Sequence, residues 1–303
     1  MTSPSIALIG PGAIGCAVAG GLVETGRPPV IAARRQFDHL HVTYKGGEIA
    51  AEVTVHTDPV AAGPAEVVVL AVKAHQTADA VPWIEALVTP TSTVYVLQNG
   101  IEHVERVTPL VPAGAVVVPV IINLPAIRSA PGVCAVGGRS RLTIPTGLDG
   151  GLFAELLAPS YIDVIETDEW PKAAWTKLML NAALGGLCTL TRTDNRIFEE
   201  VPELVELAVA VMEEVIEVAA ADGVELDAEL PRQVISGLLS AASGHLASIV
   251  VDRLQGAPTE WDARNAVVGR MGRRHGVDTP RNDMLTTLIR SGEPDVAPPP
   301  RDR

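Results

Sequence analysis

Two rhythms of apolar residues divide this chain. Up to about residue 169, short runs rich in Val, Ile and Leu alternate with stretches of helical spacing. "SIALIG" reads as a strand, "AIGCAVAGGLVETG" as a helix ending at Gly26, and "PPVIAA" as a second strand. "EVVVLAV" (66–72) and "STVYVLQNG" (92–100) follow, with the helical pattern "ADAVPWIEALV" between them. Near-continuous apolar strands separated by helices are what a parallel sheet covered on both faces requires. "GAVVVPVIINL" and "RLTIP" are expected to carry that sheet toward its far edge. From "EWPKAAWTKLML" onward the spacing is helical almost throughout. "VPELVELAVAVMEEVIEVAAADG" (201–223) repeats apolar residues at three and four and stops at Gly223. "GHLASIVVDRLQG" and "TEWDARNAVVGRMGRRHG" predict two more helices, each closed by a glycine.

The pattern therefore predicts an α/β domain with a parallel sheet over 1–169, an all-α domain over 170–293 and a disordered tail over 294–303. Composition narrows the function classes. A net charge of -13 and the lack of a basic stripe with interleaved aromatics argue against nucleic-acid binding. The uncharged run from Ile6 to Val23 is long enough to suggest a membrane anchor, but Gly10, Pro11, Gly12 and Gly15 would break such a helix, and "MTSPS" lacks a basic leader. Val107 to Ile127 fails similarly, on four prolines. No membrane association and a cytoplasmic location are expected. Cys16, Cys134 and Cys188 are widely spaced, with no CxxC, so they read as small buried residues and not as a metal site.

Gly10, Gly12 and Gly15 form G-x-G-x-x-G between a strand and a helix. The first glycine permits the tight turn, the second lets the backbone approach a pyrophosphate, and the third lets the helix pack on the strand. This makes the turn Gly10-Pro11-Gly12-Ala13-Ile14-Gly15 a dinucleotide cradle. NAD-binding versions place an acid about 20 residues further on. Here the second strand ends in Arg34 and Arg35, with no acid before Asp38. An arginine there suits a 2′-phosphate and hence NADP(H); two solvated surface arginines are the plainer alternative. Lys73 in "LAVKAHQT" and Asn99 in "VLQNGIE" fall just past predicted strands, at the sheet edge where ligands of open α/β sheets bind.

In the helical half, Lys177 and Asn181 share a face of a nearly apolar helix, "AAWTKLMLNAALGGLCTL". Burial would lower the lysine's pKa and poise it for proton transfer; a lysine snorkelling to solvent is the alternative. Glu260 reads as a first-turn acid of a helix N-capped by Thr259, with Asp262 as the capping-box acid. Ser248 sits on an amphipathic helix.

The ordered series "GPGAIG", "AVKAHQ", "LQNGIE", "KLMLN", "SIVVDRLQGAPTEWDARNA" and "GRRHGVDTP" resembles the ketopantoate reductase (2-dehydropantoate 2-reductase) family from Ile6 to about Leu288. The resemblance implies a Rossmann-type domain followed by a helical domain, with NADPH and a small 2-oxo acid held in the cleft between them. It implies the glycine turn on the pyrophosphate, and Arg34 with Lys73 on the 2′-phosphate. Asn99 would sit near nicotinamide and substrate. Lys177 would be the general acid, and Asn181, Asn195 and Ser248 would hold the substrate's polar groups. Glu260 would hold hydroxyls near the reaction centre, including one on the cofactor ribose. The activity implied is reduction of 2-dehydropantoate to pantoate, in the route to pantothenate and coenzyme A.

Two positions depart from the family pattern. Gly185 and His245 stand where the family often carries asparagines. They leave open a reductase of a different 2-oxo acid; a non-catalytic NADP-binding protein is the alternative of another class. The long apolar helices could pack within a chain or between two copies, so a homodimer also stays open.

Overall fold

Alternate residues of the central strands feed two separate cores. The computed structural model describes residues 4–240, 244 and 246–295, and the chain divides into two units, Met1–Trp170 and Pro171–Arg303. The first runs β1 (Ile6–Ile9), α1 (Ala13–Glu24), β2 (Val30–Ala32), β3 (His39–Tyr44), β4 (Gly47–Glu52), β5 (Val55–His56), β6 (Ala65–Leu70), α2 (Val81–Leu87), β7 (Val88–Val96), α3 (His103–Val107) and β8 (Val116–Pro119). It continues with β9 (Ile121–Asn123), β10 (Ala126–Ala130), β11 (Val133–Val136), β12 (Ser140–Pro145), α4 (Leu152–Leu157) and β13 (Ile162–Thr167).

Six strands pair in parallel in the order β5-β2-β1-β6-β7-β8. Leu8, Ile31, Val67, Val69 and Tyr95 point to the face covered by Cys16–Leu22 of α1. Ala7, Ile9, Val68, Leu70, Val94 and Val96 point to the other, against Ile84 and Leu87 of α2 and Val107 of α3. The period-2 alternation of a strand buried on both sides explains why these runs are apolar throughout. α1 ends as expected, with Gly26 in the left-handed region at φ 75°.

The far edge of the sheet differs from expectation. β8 is the last strand, and "RLTIP" does not extend it: β12 lies in a separate three-stranded sheet, β13-β12-β9. β8 ends at Pro119, which has no N–H to continue a ladder. The Val120 N–H donates back to Val96 O at 3.1 Å, and the chain then leaves the sheet to pair β9 with β12. A further sheet, β10-β11-β3-β4, uses residues 39–52, for which the apolar pattern predicted no element.

The helices of the second half are α5 (Trp170–Leu180), which begins at the last residue of the first unit, α6 (Gly186–Thr191), α7 (Ile197–Glu200), α8 (Glu203–Ala221), α9 (Leu230–Ser240), α10 (Ser248–Leu254), α11 (Val267–His275) and α12 (Pro280–Ser291). Two π-helical turns, Asn181–Gly185 and Asp262–Ala266, interrupt the expected continuous helices. Gly223, Gly256 and Gly276 stop their helices at positive φ. Among the described residues, no helix is long and apolar enough to cross a membrane. Of the expected tail, 296–303 lie outside the described residues.

The capping box expected at Thr259 is not formed. Thr259 donates its backbone N–H (2.8 Å) and its hydroxyl (2.7 Å) to the buried carboxylate of Glu293. Asp262 instead takes Arg270 at 2.6 Å. A carboxylate distant in sequence outcompetes the local one because it accepts from both groups of Thr259 and also from Arg253. Glu214 plays the same part for α12. Its carboxylate, 4% exposed on the apolar face of α8, accepts from the backbone N–H of Arg281 (2.8 Å) and Asn282 (2.9 Å) and from the Asn282 amide (2.9 Å). It thereby satisfies first-turn donors that Thr279, the N-cap, leaves uncapped. Glu214→Ala is expected to lower the unfolding free energy by about 3 kcal/mol, because several donors lose one charged acceptor. Urea titration followed by circular dichroism measures it; a loss under about 1 kcal/mol would mean that water replaces the carboxylate at little cost.

Candidate active site

In the first unit, four loops leave the carboxyl ends of neighbouring parallel strands, and each carries expected ligand residues. The glycine turn follows β1, Arg34 follows β2, Lys73 follows β6 and Asn99 follows β7. Gly10 has φ 91°, and a Cβ there would come within 2.5 Å of Val72 Cγ1. A Cβ on Gly15 would collide with the carbonyl oxygen of Gly10. Both glycines are therefore required by the protein itself. Gly12 is different: among the described residues nothing lies within 4 Å of its Cβ position. It is the N-cap of α1, whose first turn holds no acidic residue. Helix geometry leaves the amides of Ala13, Ile14 and Gly15 without acceptors inside the helix. Open space above a glycine at a helix start leaves room for an anion to approach the backbone closely; Pro11 lies within the turn. Arg34 is exposed. Lys73 is half-buried at the head of a short 3₁₀ turn, Ala74–Gln76.

In the second unit a polar cluster sits where the two π-helical turns pack on one another. Lys177 is half-buried one turn before the first π turn, and Asn181 opens that turn. Burial lowers the Lys177 pKa from 10.5 to about 8, with a smaller push from the Arg264 guanidinium. Arg264, from the second π turn, is 3% exposed. Burial lowers its pKa as well, while Glu260 and Asp252 oppose that shift. Its Nη2 donates to Ser248 Oγ at 2.8 Å. Glu260 and Asp252 are themselves buried. Asn265 fastens the crossing: its Nδ2 donates to Ala182 O at 2.9 Å. The site thus offers a proton donor with a pKa near neutrality, set among amide, hydroxyl and guanidinium donors.

Family models match both halves of the chain: ketopantoate reductase PanE/ApbA over residues 6–148 and ketopantoate reductase PanE/ApbA C terminal over 169–293. A 2-dehydropantoate 2-reductase of Mycobacterium tuberculosis (strain H37Rv) is 36% identical over 286 residues, 94% of this chain and 96% of that protein. The chain belongs to the ketopantoate reductase family. A 2-dehydropantoate 2-reductase of Caulobacter vibrioides is 34% identical over 94% of this chain and 98% of that protein. The crystal structure of a PanE/ApbA family ketopantoate reductase from Ralstonia eutropha JMP134 superposes with a TM-score of 0.88 at 26% identity, covering 96% of this chain and 99% of that one.

Within the second unit, part of the expected set is linked through Arg264. Ser248 and Glu260 both interact with Arg264, and Arg264 acts in turn on Lys177. Asn195 lies in the loop between α6 and α7; its amide oxygen accepts from the Cys188 thiol at 3.7 Å, and its backbone carbonyl accepts from the Phe198 N–H. His245 lies outside the described residues. The apolar spacing did not single out Arg264, Asp252 or Asn265. A signal for the first existed: Arg264 is a charge flanked by Ala263, Ala266, Val267 and Val268, the same anomaly that marks Lys177. Asn265 gave no such signal, since its role depends on the π turns. The two glycines make separable predictions. Gly15→Ala should lower the thermal midpoint by roughly 5 °C through overpacking, while Gly12→Ala leaves it within about 1 °C. Scanning fluorimetry measures both, and equal losses would mean that the fold itself requires Gly12 as well.

Proposed function

We propose that this protein reduces 2-dehydropantoate to pantoate with NADPH, and that Lys177 supplies the proton. The observation that carries the reading is Lys177 itself, a lysine desolvated to a pKa of about 8, four residues before Asn181 and within the electrostatic reach of Arg264, which donates to Ser248. Family membership supports the reaction; the open space over Gly12 and the acid-free start of α1 support a dinucleotide. Arg34 stands where an NAD-binding turn would place an acid, which supports the phosphorylated cofactor.

When bound, NADPH supplies a hydride to C2 of the oxo acid. The protein's own work is to bind, orient and protonate. Gly10, Gly12 and Gly15 with the first amides of α1 hold the pyrophosphate, and Arg34 and Lys73 hold the 2′-phosphate. Lys177 hydrogen-bonds the C2 oxygen and donates its proton as negative charge develops there, an interaction stronger in the transition state than in the ground state. A pKa near 8 keeps the lysine protonated at neutral pH yet ready to release the proton. Asn181, Ser248 and Asn99 orient the substrate with neutral groups, which leave the lysine charge unneutralised. Glu260 holds hydroxyls near the reaction centre. A second reading, the same reduction on another 2-oxo acid, is favoured by Gly185, where the family often carries an amide.

Lys177→Ala should leave NADPH affinity unchanged and lower turnover about 1,000-fold; turnover within threefold of the parent would remove Lys177 from this role. The pH dependence has a definite sign. Reduction needs the protonated lysine, so its kcat/KM falls as pH rises through about 8, whereas oxidation of the hydroxy acid needs the neutral amine and rises over the same interval. Steady-state rates from pH 6 to 10 in both directions test this. Arg34→Ala should weaken NADPH roughly 30-fold with little effect on NADH, the loss expected for charge-assisted bonds to a phosphate; fluorescence titration of both cofactors measures it.

A further inference from the structure

Arg264 is a buried guanidinium whose hydrogen-bonding capacity the fold does not use up. Among the described residues its hydrogen bond runs from Nη2 to Ser248 Oγ at 2.8 Å. Nε is buried without a hydrogen-bond partner among the described residues. Glu260 and Asp252 favour its charge electrostatically. A buried guanidinium with an unspent N–H is not how a structural arginine is built, since such a residue gives its donors to fixed acceptors.

Gly185 explains the placement. A Cβ at that position would lie 3.2 Å from Arg264 Nη1 and 3.5 Å from Ile249 Cγ2. The glycine that departs from the family pattern is therefore the surface against which the guanidinium rests, and an asparagine side chain would compete with it for the same space. The space that an amide side chain would enter is bounded here by a guanidinium. Arg264 is a second cation in the cluster, close enough to Lys177 to affect its protonation. An amide suits a hydroxyl or a carboxylate about equally; a guanidinium with spare donors selects the carboxylate, through planar charge-assisted bonds.

We propose that Arg264, accommodated by Gly185, binds the carboxylate of the 2-oxo acid and sets the enzyme's preference for anionic substrates. The proposal rests on reading the protein as a 2-oxo acid reductase. It separates two tasks: Lys177 addresses the C2 oxygen and Arg264 the neighbouring carboxylate. A carboxylate between the two cations would also offset their mutual repulsion.

The test compares acids with their neutral methyl esters. 2-Dehydropantoate, 2-oxoisovalerate and pyruvate, each beside its ester, are titrated into the NADP-loaded protein by calorimetry and assayed for NADPH consumption. The parent protein is expected to favour at least one acid over its ester. Arg264→Gln is expected to weaken that acid about 30-fold and leave the ester within threefold, a selective loss that general damage to the fold would not produce. Arg264→Lys should recover part of the affinity, because it keeps the charge and loses the fork. If Arg264→Gln does not fold, Gly185→Ala carries the test: pressing a methyl on Nη1 should weaken the acid and spare the ester. The proposal is overturned if the parent favours no acid over its ester. It is also overturned if the variants lose acid and ester by the same factor, or lose neither. Preference for an acid other than 2-dehydropantoate, abolished in Arg264→Gln, would sink the functional assignment and leave this inference standing.

Discussion

The hydrogen bond from Asn265 Nδ2 to Ala182 O, 2.9 Å long, ties one π-helical turn to the other, and the polar cluster of the second unit depends on that crossing. π turns are uncommon and concentrate at functional sites, because the widened ladder re-aims side chains that a regular helix would stack. Here the two turns bring Ala182 and Gly185 from one segment against Asn265 and Arg264 from the other. Gly186 keeps the approach close: a Cβ there would stand 3.3 Å from Asn265 Nδ2. Asn265 is itself fully buried and reaches Asn282 Oδ1 at 3.5 Å, and Asn282 is anchored by the Glu214 carboxylate. A chain of buried polar contacts therefore runs from α8 through α12 to the π turns, and each link restricts the next.

Burial makes this cluster chemically useful and also costly to assemble. Apolar neighbours along α5, among them Ala174, Leu178 and Met179, desolvate Lys177 and bring its pKa toward neutrality. The same low-polarity surroundings hold Arg264, which stays charged with the help of Glu260 and Asp252. The first unit solves its own problem with backbone instead of side chains. Its glycine turn keeps Val72 and the Gly10 carbonyl clear, presents helix amides, and leaves open space above Gly12.

Much of this was legible along the chain, for identifiable reasons. Strands buried on both faces write themselves as unbroken apolar runs, so β1, β6 and most of β7 were readable, and glycines at positive φ marked the ends of α1, α8, α10 and α11. Lys177 stood out because a charge in an apolar helix is an anomaly at any level of description. What escaped depends on residues far apart in sequence. "RLTIP" looked like another strand of the main sheet, because nothing local says which edge a strand will join. Thr259 looked like an N-cap, because Glu293 is 34 residues away. The π turns have no periodic signature of their own, so neither the role of Asn265 nor the pairing of Gly185 with Arg264 could be read from spacing.

Burial in this cluster is what brings the Lys177 pKa down toward neutrality. A carbon-13 NMR titration of lysine-labelled protein tests it directly, with the Lys177 signal assigned by its loss in Lys177→Arg. A midpoint near 8 is expected for that signal. A midpoint at the ordinary lysine value of about 10.4 would contradict it, because the residue would then be a solvated surface charge.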